Sequence, residues 1–110
     1  MENFENFCPV RDILARIGDK WSVLVMHSLS TKEVMRFGEL QREIPDVSQK
    51  MLTQTLRKLE RMNLIVRTIY AEVPPRVEYR VTSLGKSFME TMQPIIEWAK
   101  INKQELGVTH

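Results

Sequence analysis

The stretch that most limits what this chain can become is Ser48–Thr82, SQKMLTQTLRKLERMNLIVRTIYAEVPPRVEYRVT. On a helix turning about 100° per residue, Met51, Leu52, Leu56, Leu59 and Met62 fall on one side of segment 48–62. Lys50, Thr53, Gln54, Arg57 and Arg61 fall on the other. Ser48 is a suitable N-cap, since its hydroxyl can accept from an orphan N–H of the first turn. The capping is partial, because Met51 stands where a capping box needs Glu or Gln. A solvated helix face usually mixes charges at i, i+4 spacing. Here Glu60 is the one acid, near the edge of a face that otherwise carries cations and amide or hydroxyl groups. The pattern favours a face that meets an anion over a face that meets only water.

The charge is segregated along the chain. Residues 48–70 carry Lys50, Arg57, Lys58, Arg61 and Arg67 against Glu60 alone, whereas residues 1–30 carry more acids than bases. A net charge of +2 over 110 residues would prove nothing by itself, but clustering of the positive charge marks an electrostatic footprint. The length suits one domain, 1–110, able to bury a core without staples. One cysteine excludes an internal disulfide and fits a reducing compartment. No apolar run reaches membrane-span length and the N-terminus is acidic, so a cytoplasmic location without membrane contact is expected.

Taken in order, Pro9 suits the first turn of a helix carrying Ile13, Leu14 and Ile17, with Gly18 as its stop. Asp19 can cap a second helix on which Trp21, Leu24, Val25 and Leu29 recur, widened by Val23 and Met26; so broad an apolar surface predicts a central helix with Trp21 as a core anchor. Ser30–Met35 reads as a loop. Phe37, Leu40 and Ile44 give a brief third helix closed by Pro45. The turn Pro45-Asp46-Val47 is so short that the third helix and the Ser48 helix must cross steeply, as in a helix-turn-helix. In that motif the N-terminal residues of the second helix face the bases of the major groove; here these are Ser48, Gln49, Lys50, Thr53 and Gln54. Gln can pair with adenine, and Lys or Arg with guanine.

Leu64–Ala71 is rich in β-branched residues, and Val77, Tyr79 and Val81 alternate with polar residues. Pro74 and Pro75 mark the tip between two strands. A stiff tip, Glu72–Arg76, suits a phosphate backbone or a minor groove; as a mere connector it would touch nothing. Thr82 is placed to cap a last helix, about 83–105, on which Leu84, Phe88, Met92, Ile95, Ile96 and Ala99 keep helical spacing and Pro94 should kink or interrupt. Trp98 and Ile101 extend the apolar surface beyond what a small monomer needs, which suggests a dimer interface with the first helix; folding of the last helix over its own core is the alternative.

Three runs, CPVRDILARIGDKW, RFGELQREIPDVSQKMLTQTLRKLE and VPPRVEYRVTSLG, together resemble the HxlR-type transcriptional regulators, winged-helix proteins related to the MarR group. The resemblance covers nearly the whole chain in order. It implies a mainly α fold with a small β-hairpin (α+β), a winged helix-turn-helix, dimerised through its N- and C-terminal helices. It implies a homodimer on double-stranded operator DNA, with a recognition helix at about 48–62 and a wing at about 64–82. The DNA-facing residues would be Arg36, Ser48, Gln49, Lys50, Thr53, Gln54, Arg57, Arg61 and Arg76. Ser30–Met35 departs from the family's glycine-containing pattern at this point.

Some regulators of this type sense electrophiles or oxidants through an N-terminal cysteine, and Cys8 is the matching residue. Beside Pro9 at a helix start, with Arg11 near, backbone N–H groups would favour its thiolate. Its bland alternative is a small buried side chain. His27 reads as a core histidine, His110 as terminal, and one cysteine with two distant histidines makes no zinc site of usual spacing. No cofactor, metal or catalytic constellation is expected, so the chain reads as no enzyme. A small-molecule effector between the dimer helices would regulate. The rival function is a winged helix that binds protein and not DNA; it requires a large apolar patch on the outer face of the Ser48 helix.

Overall fold

The computed structural model describes residues 4–107, with side chains from Pro9 onward. The chain runs α1 (Phe4–Ile17), α2 (Lys20–Lys32), β1 (Val34–Met35), α3 (Phe37–Glu43), α4 (Gln49–Arg61), β2 (Ile65–Tyr70), β3 (Arg76–Val81) and α5 (Ser83–Ile101). The helix-turn-helix is α3–α4, and the β2–β3 hairpin is the wing.

The core gathers under α2, which buries Val25, Met26 and Leu29 completely. Leu40 of α3, Leu52, Leu56 and Leu59 of α4, and Ile65 of β2 close around it. Ser22 and Thr55 are also buried. Their hydroxyls are satisfied locally, Ser22 donating to Asp19 (2.6 Å) and Thr55 to the Met51 carbonyl (2.8 Å). Satisfaction removes most of the penalty of burying a hydroxyl.

Three expected caps form. Asp19 accepts from the Ser22 N–H (3.2 Å), Ser48 from the Met51 N–H (3.0 Å) and Thr82 from the Gly85 N–H (3.0 Å). The end of α4 is built by Asn63, whose φ of 61° is left-handed. Its N–H donates to Glu60 O, and the next N–H, of Leu64, donates to Leu59 O, both at 3.0 Å. This Schellman closure satisfies carbonyls the helix would orphan and turns the chain into β2. Gly85 permits the close seat of α5, since a Cβ there would collide with the Leu64 carbonyl and the Val81 side chain.

Several expectations change. Ser30–Met35 is not a loop: α2 continues to Lys32, and Val34–Met35 pair antiparallel with Arg80 and Tyr79. The sheet therefore has three strands, ordered β1-β3-β2. Between helix and strand, Glu33 has φ 71°, a conformation that costs a residue with a Cβ of order 1–3 kcal/mol. The α1 helix starts at Phe4, so Pro9 lies inside it and not in its first turn. Pro94 does not interrupt α5, which stays helical from Ser83 to Ile101. Trp21 and His27 are half-buried, not enclosed; Trp21 packs on the edge of the core beneath the Lys20 ammonium, 4.4 Å from the ring centre. His110 lies outside the described residues.

The early part of α5 folds onto the core through Gly85, Phe88, Met89, Met92 and Ile96. Its far part does not: Ile95, Trp98 and Ile101 are 56–79% exposed, and on α1 Val10, Ile13 and Leu14 are 47–58% exposed. The single chain leaves these two stripes uncovered.

Candidate nucleic-acid interface

The helix α4 buries Leu52, Thr55, Leu56 and Leu59 and turns its opposite side outward. Lys50, Thr53, Gln54, Arg57 and Arg61 share an arc of roughly 100° on that side. All are exposed except Thr53, which is half-buried and returns its hydroxyl to the Gln49 carbonyl (2.8 Å). Ser48 and Gln49 lie exposed at the N-terminal end. The Ser48 hydroxyl is engaged in capping, so Gln49 and Gln54 are the freer hydrogen-bonding groups of the arc.

Lys58, counted in the positive charge of this stretch but left off the outward face, is set apart from the other cations. Lys58 points back from the arc and binds Asp19 at 2.7 Å, with both side chains partly shielded. Burial pushes the Asp19 carboxyl up, but the bonds from Lys58 and Ser22 outweigh it and hold the group below its ordinary value. Lys50, Arg57 and Arg61 have no hydrogen bond or ion pair among the described residues. Met51, expected on the buried side, is 38% exposed, but it stands away from the cationic arc, which carries no apolar patch.

The wing is stiffened from within. Tyr70 and Arg76 are cross-strand partners, and the Arg76 guanidinium lies 4.0 Å from the Tyr70 ring centre. Glu72 approaches Arg76 at 3.2 Å and Glu78 at 3.7 Å. Arg76 is thus committed to the hairpin, while Val73 at the tip is fully exposed. Arg36 is exposed at the N-cap of α3, where its N–H donates to Glu39 (2.9 Å). The backbone at Cys8 lies within α1, past its first turn; the side chain is outside the described residues.

Arg67 adds to the positive charge of residues 48–70, but its place in the sequence does not assign it to the site. It lies on β2 with Nε 3.6 Å from Glu60 of α4. The signal was its two-residue spacing from Ile65 and Ile69, which puts it on the strand face turned toward α4. Among the described residues no group of three His, Cys, Asp or Glu could hold a metal, and no helix is long and apolar enough to cross a membrane.

A family model described as HxlR-like helix-turn-helix matches residues 16–106. Over 101 residues the chain is 45% identical to an HTH-type transcriptional regulator of Methanothermobacter thermautotrophicus, covering 92% of this chain and 76% of that one. Among solved structures, the redox regulator HypR in its reduced form aligns with a TM-score of 0.83 at 34% identity, covering 92% of this chain and 99% of that chain. The transcriptional regulator ytfH of Salmonella typhimurium aligns at 0.81 and 33% identity, covering 96% and 95%. The chain therefore belongs to the HxlR-like helix-turn-helix family and is a transcriptional regulator of the helix-turn-helix type.

Proposed function

We propose that the protein acts as a homodimer that binds double-stranded operator DNA with sequence specificity. The observation that carries this reading is the arc on α4, where Lys50, Arg57 and Arg61 stand outward without internal partners while the neighbouring Lys58 is neutralised by Asp19. In this reading α4 enters the major groove as recognition helix. Gln49 and Gln54 meet base edges together with Ser48 and Thr53, and Lys50, Arg57 and Arg61 take phosphate or guanine. Arg36 supports from the start of α3. The wing approaches the adjacent groove, and Arg76 reaches a phosphate by exchanging Glu72 for it. The uncovered stripes of α1 and α5 form the dimer contact that spaces the two α4 helices.

The test is binding of a duplex selected from a random pool, followed by fluorescence anisotropy across salt. Neutralising about six phosphates gives a log–log slope near −5, a loss of about three decades between ~50 and ~200 mM salt. Arg57→Ala weakens binding by about 1–3 kcal/mol if it reads a base, or lowers the slope by about one per contact if it meets phosphate. An unchanged isotherm removes Arg57 from the interface. Absence of binding to any duplex ends the reading and leaves the protein-binding alternative.

The likeness to a redox regulator supports a second element, a thiol input at Cys8 that changes the spacing of the recognition helices. Diamide treatment then weakens operator binding by the wild type and spares Cys8→Ser. Equal binding before and after oxidation would count against it, and would leave a non-oxidant effector as the regulatory input to seek.

A further inference from the structure

The arc on α4 explains Arg57 and Arg61 but not the third arginine that joins them. Arg67 stands on β2 opposite Tyr79, whose side chain is buried. At this level α4 and β2 flank a shallow, open cleft of about 330 Å³ lined by Arg57, Glu60, Arg61 and Arg67. Three guanidinium groups thus line a cleft that holds one carboxylate, and only Arg67 pairs with it.

The pairing inside the cleft is incomplete. Glu60 approaches Arg67 at Nε, 3.6 Å away, beyond hydrogen-bond length. The Arg67 guanidinium makes no hydrogen bond among the described residues, and Arg57 and Arg61 make neither hydrogen bond nor ion pair there. Burial pushes the Tyr79 phenol above its ordinary value, and Arg67, Glu60 and Arg57 act on it in opposite directions. All four charged groups line the one cleft, so the charges converge on one place rather than lying scattered over the surface.

Planar guanidinium groups match the oxygens of a phosphate better than an ammonium does. The place of the cleft also matters. A helix in a major groove and a hairpin at the neighbouring minor groove stand on either side of one sugar–phosphate strand, and the strand must cross the space between them. We propose that the cleft is a phosphodiester site for that strand, with Arg67 as a contact residue and Glu60 as the counter-charge that orients Arg67 until DNA replaces it. This rests on the DNA-binding reading above. It makes Arg67 part of the interface although it belongs neither to the recognition face of α4 nor to the wing tip.

The test uses the full chain and the duplex selected by the wild type. Arg67→Ala should weaken binding about tenfold or more on matched and mismatched duplexes alike, and should lower the salt slope by about 1.8 for a dimer contributing two contacts. Arg67→Lys should restore the slope, because the charge is kept. Glu60→Gln should bind every duplex more tightly than the wild type. Inorganic phosphate added at constant ionic strength should displace nothing. Normal binding by Arg67→Ala with an unchanged slope overturns this inference while leaving the DNA-binding reading intact. A slope that Arg67→Lys does not restore makes Arg67 a structural residue and overturns it too. Displacement by phosphate alone would reassign the cleft to a free anion. Failure of the wild type to bind any duplex would instead defeat the reading on which it rests.

Discussion

Replacing Asp19 by Asn separates two roles that the carboxylate combines. Asp19 caps α2 through Ser22 and also holds Lys58 of α4 at 2.7 Å. Asn caps a helix about as well as Asp but carries no charge. Asp19→Asn therefore removes the ion pair and keeps the cap, whereas Asp19→Ala removes both. The two partners are 28% and 39% exposed, so solvent screening holds the pair to about 0.5–1 kcal/mol. Loss of the cap adds about 1 kcal/mol, which brings Asp19→Ala to about 2 kcal/mol. In a chain of this length each kcal/mol lowers the melting temperature by about 4 °C. The assay is thermal unfolding at fixed protein concentration, because association would shift the midpoint. Acid supplies an internal control. The folded-state pKa of Asp19 is depressed, so its charge stabilises fully above the unfolded value, about 3.9, and that contribution is lost as pH falls through the folded value. The deficit of Asp19→Asn should close over that acid window. Melting indistinguishable from wild type at neutral pH, or a deficit undiminished in acid, refutes the role given to the pair.

Three further outcomes follow from the backbone and from the uncovered stripes. Glu33→Gly should stabilise by about 0.5–1 kcal/mol, since relief of the φ 71° conformation exceeds the added chain entropy; urea unfolding reads it. Gly85→Ala should destabilise by at least about 2 kcal/mol in the same assay, because the methyl meets the Leu64 carbonyl, which is backbone and cannot step aside. Trp98→Ala, at a side chain 56% exposed in the single chain, should leave helicity intact while shifting sedimentation toward the monomer.

What could be read in advance was local. Ser48, Asp19 and Thr82 were legible as caps because a cap is settled within three residues of its helix. The two faces of α4 were legible because helical periodicity needs no partner. Strand β1 was not: two residues carry no alternation, and their partners Tyr79 and Arg80 lie far along the chain. Glu33 concealed the end of α2, because the usual signal at a left-handed stop is glycine or asparagine. Pro9 misled because it stands inside a helix, where proline more often marks an edge, whereas the helical spacing on both sides of Pro94 was enough to carry α5 across it. Within the site, helical spacing kept Lys58 off the outward face, but sequence could neither name Asp19 as its partner nor place Glu60 beside Arg67. Those pairings depend on how α4 sits against α2 and β2, which only the packing decides.

The junction at Thr82 has mechanical meaning. One residue separates the end of β3 from the start of α5, and it is fastened on both sides: its N–H donates to Leu64 O (3.0 Å), its hydroxyl to Asn63 O (2.6 Å), and that same hydroxyl caps α5. No slack remains there to absorb a tilt. In the proposed dimer, a tilt imposed at the Trp98 end of the rod is passed through this junction to the hairpin and to the foot of α4, the side proposed to meet DNA.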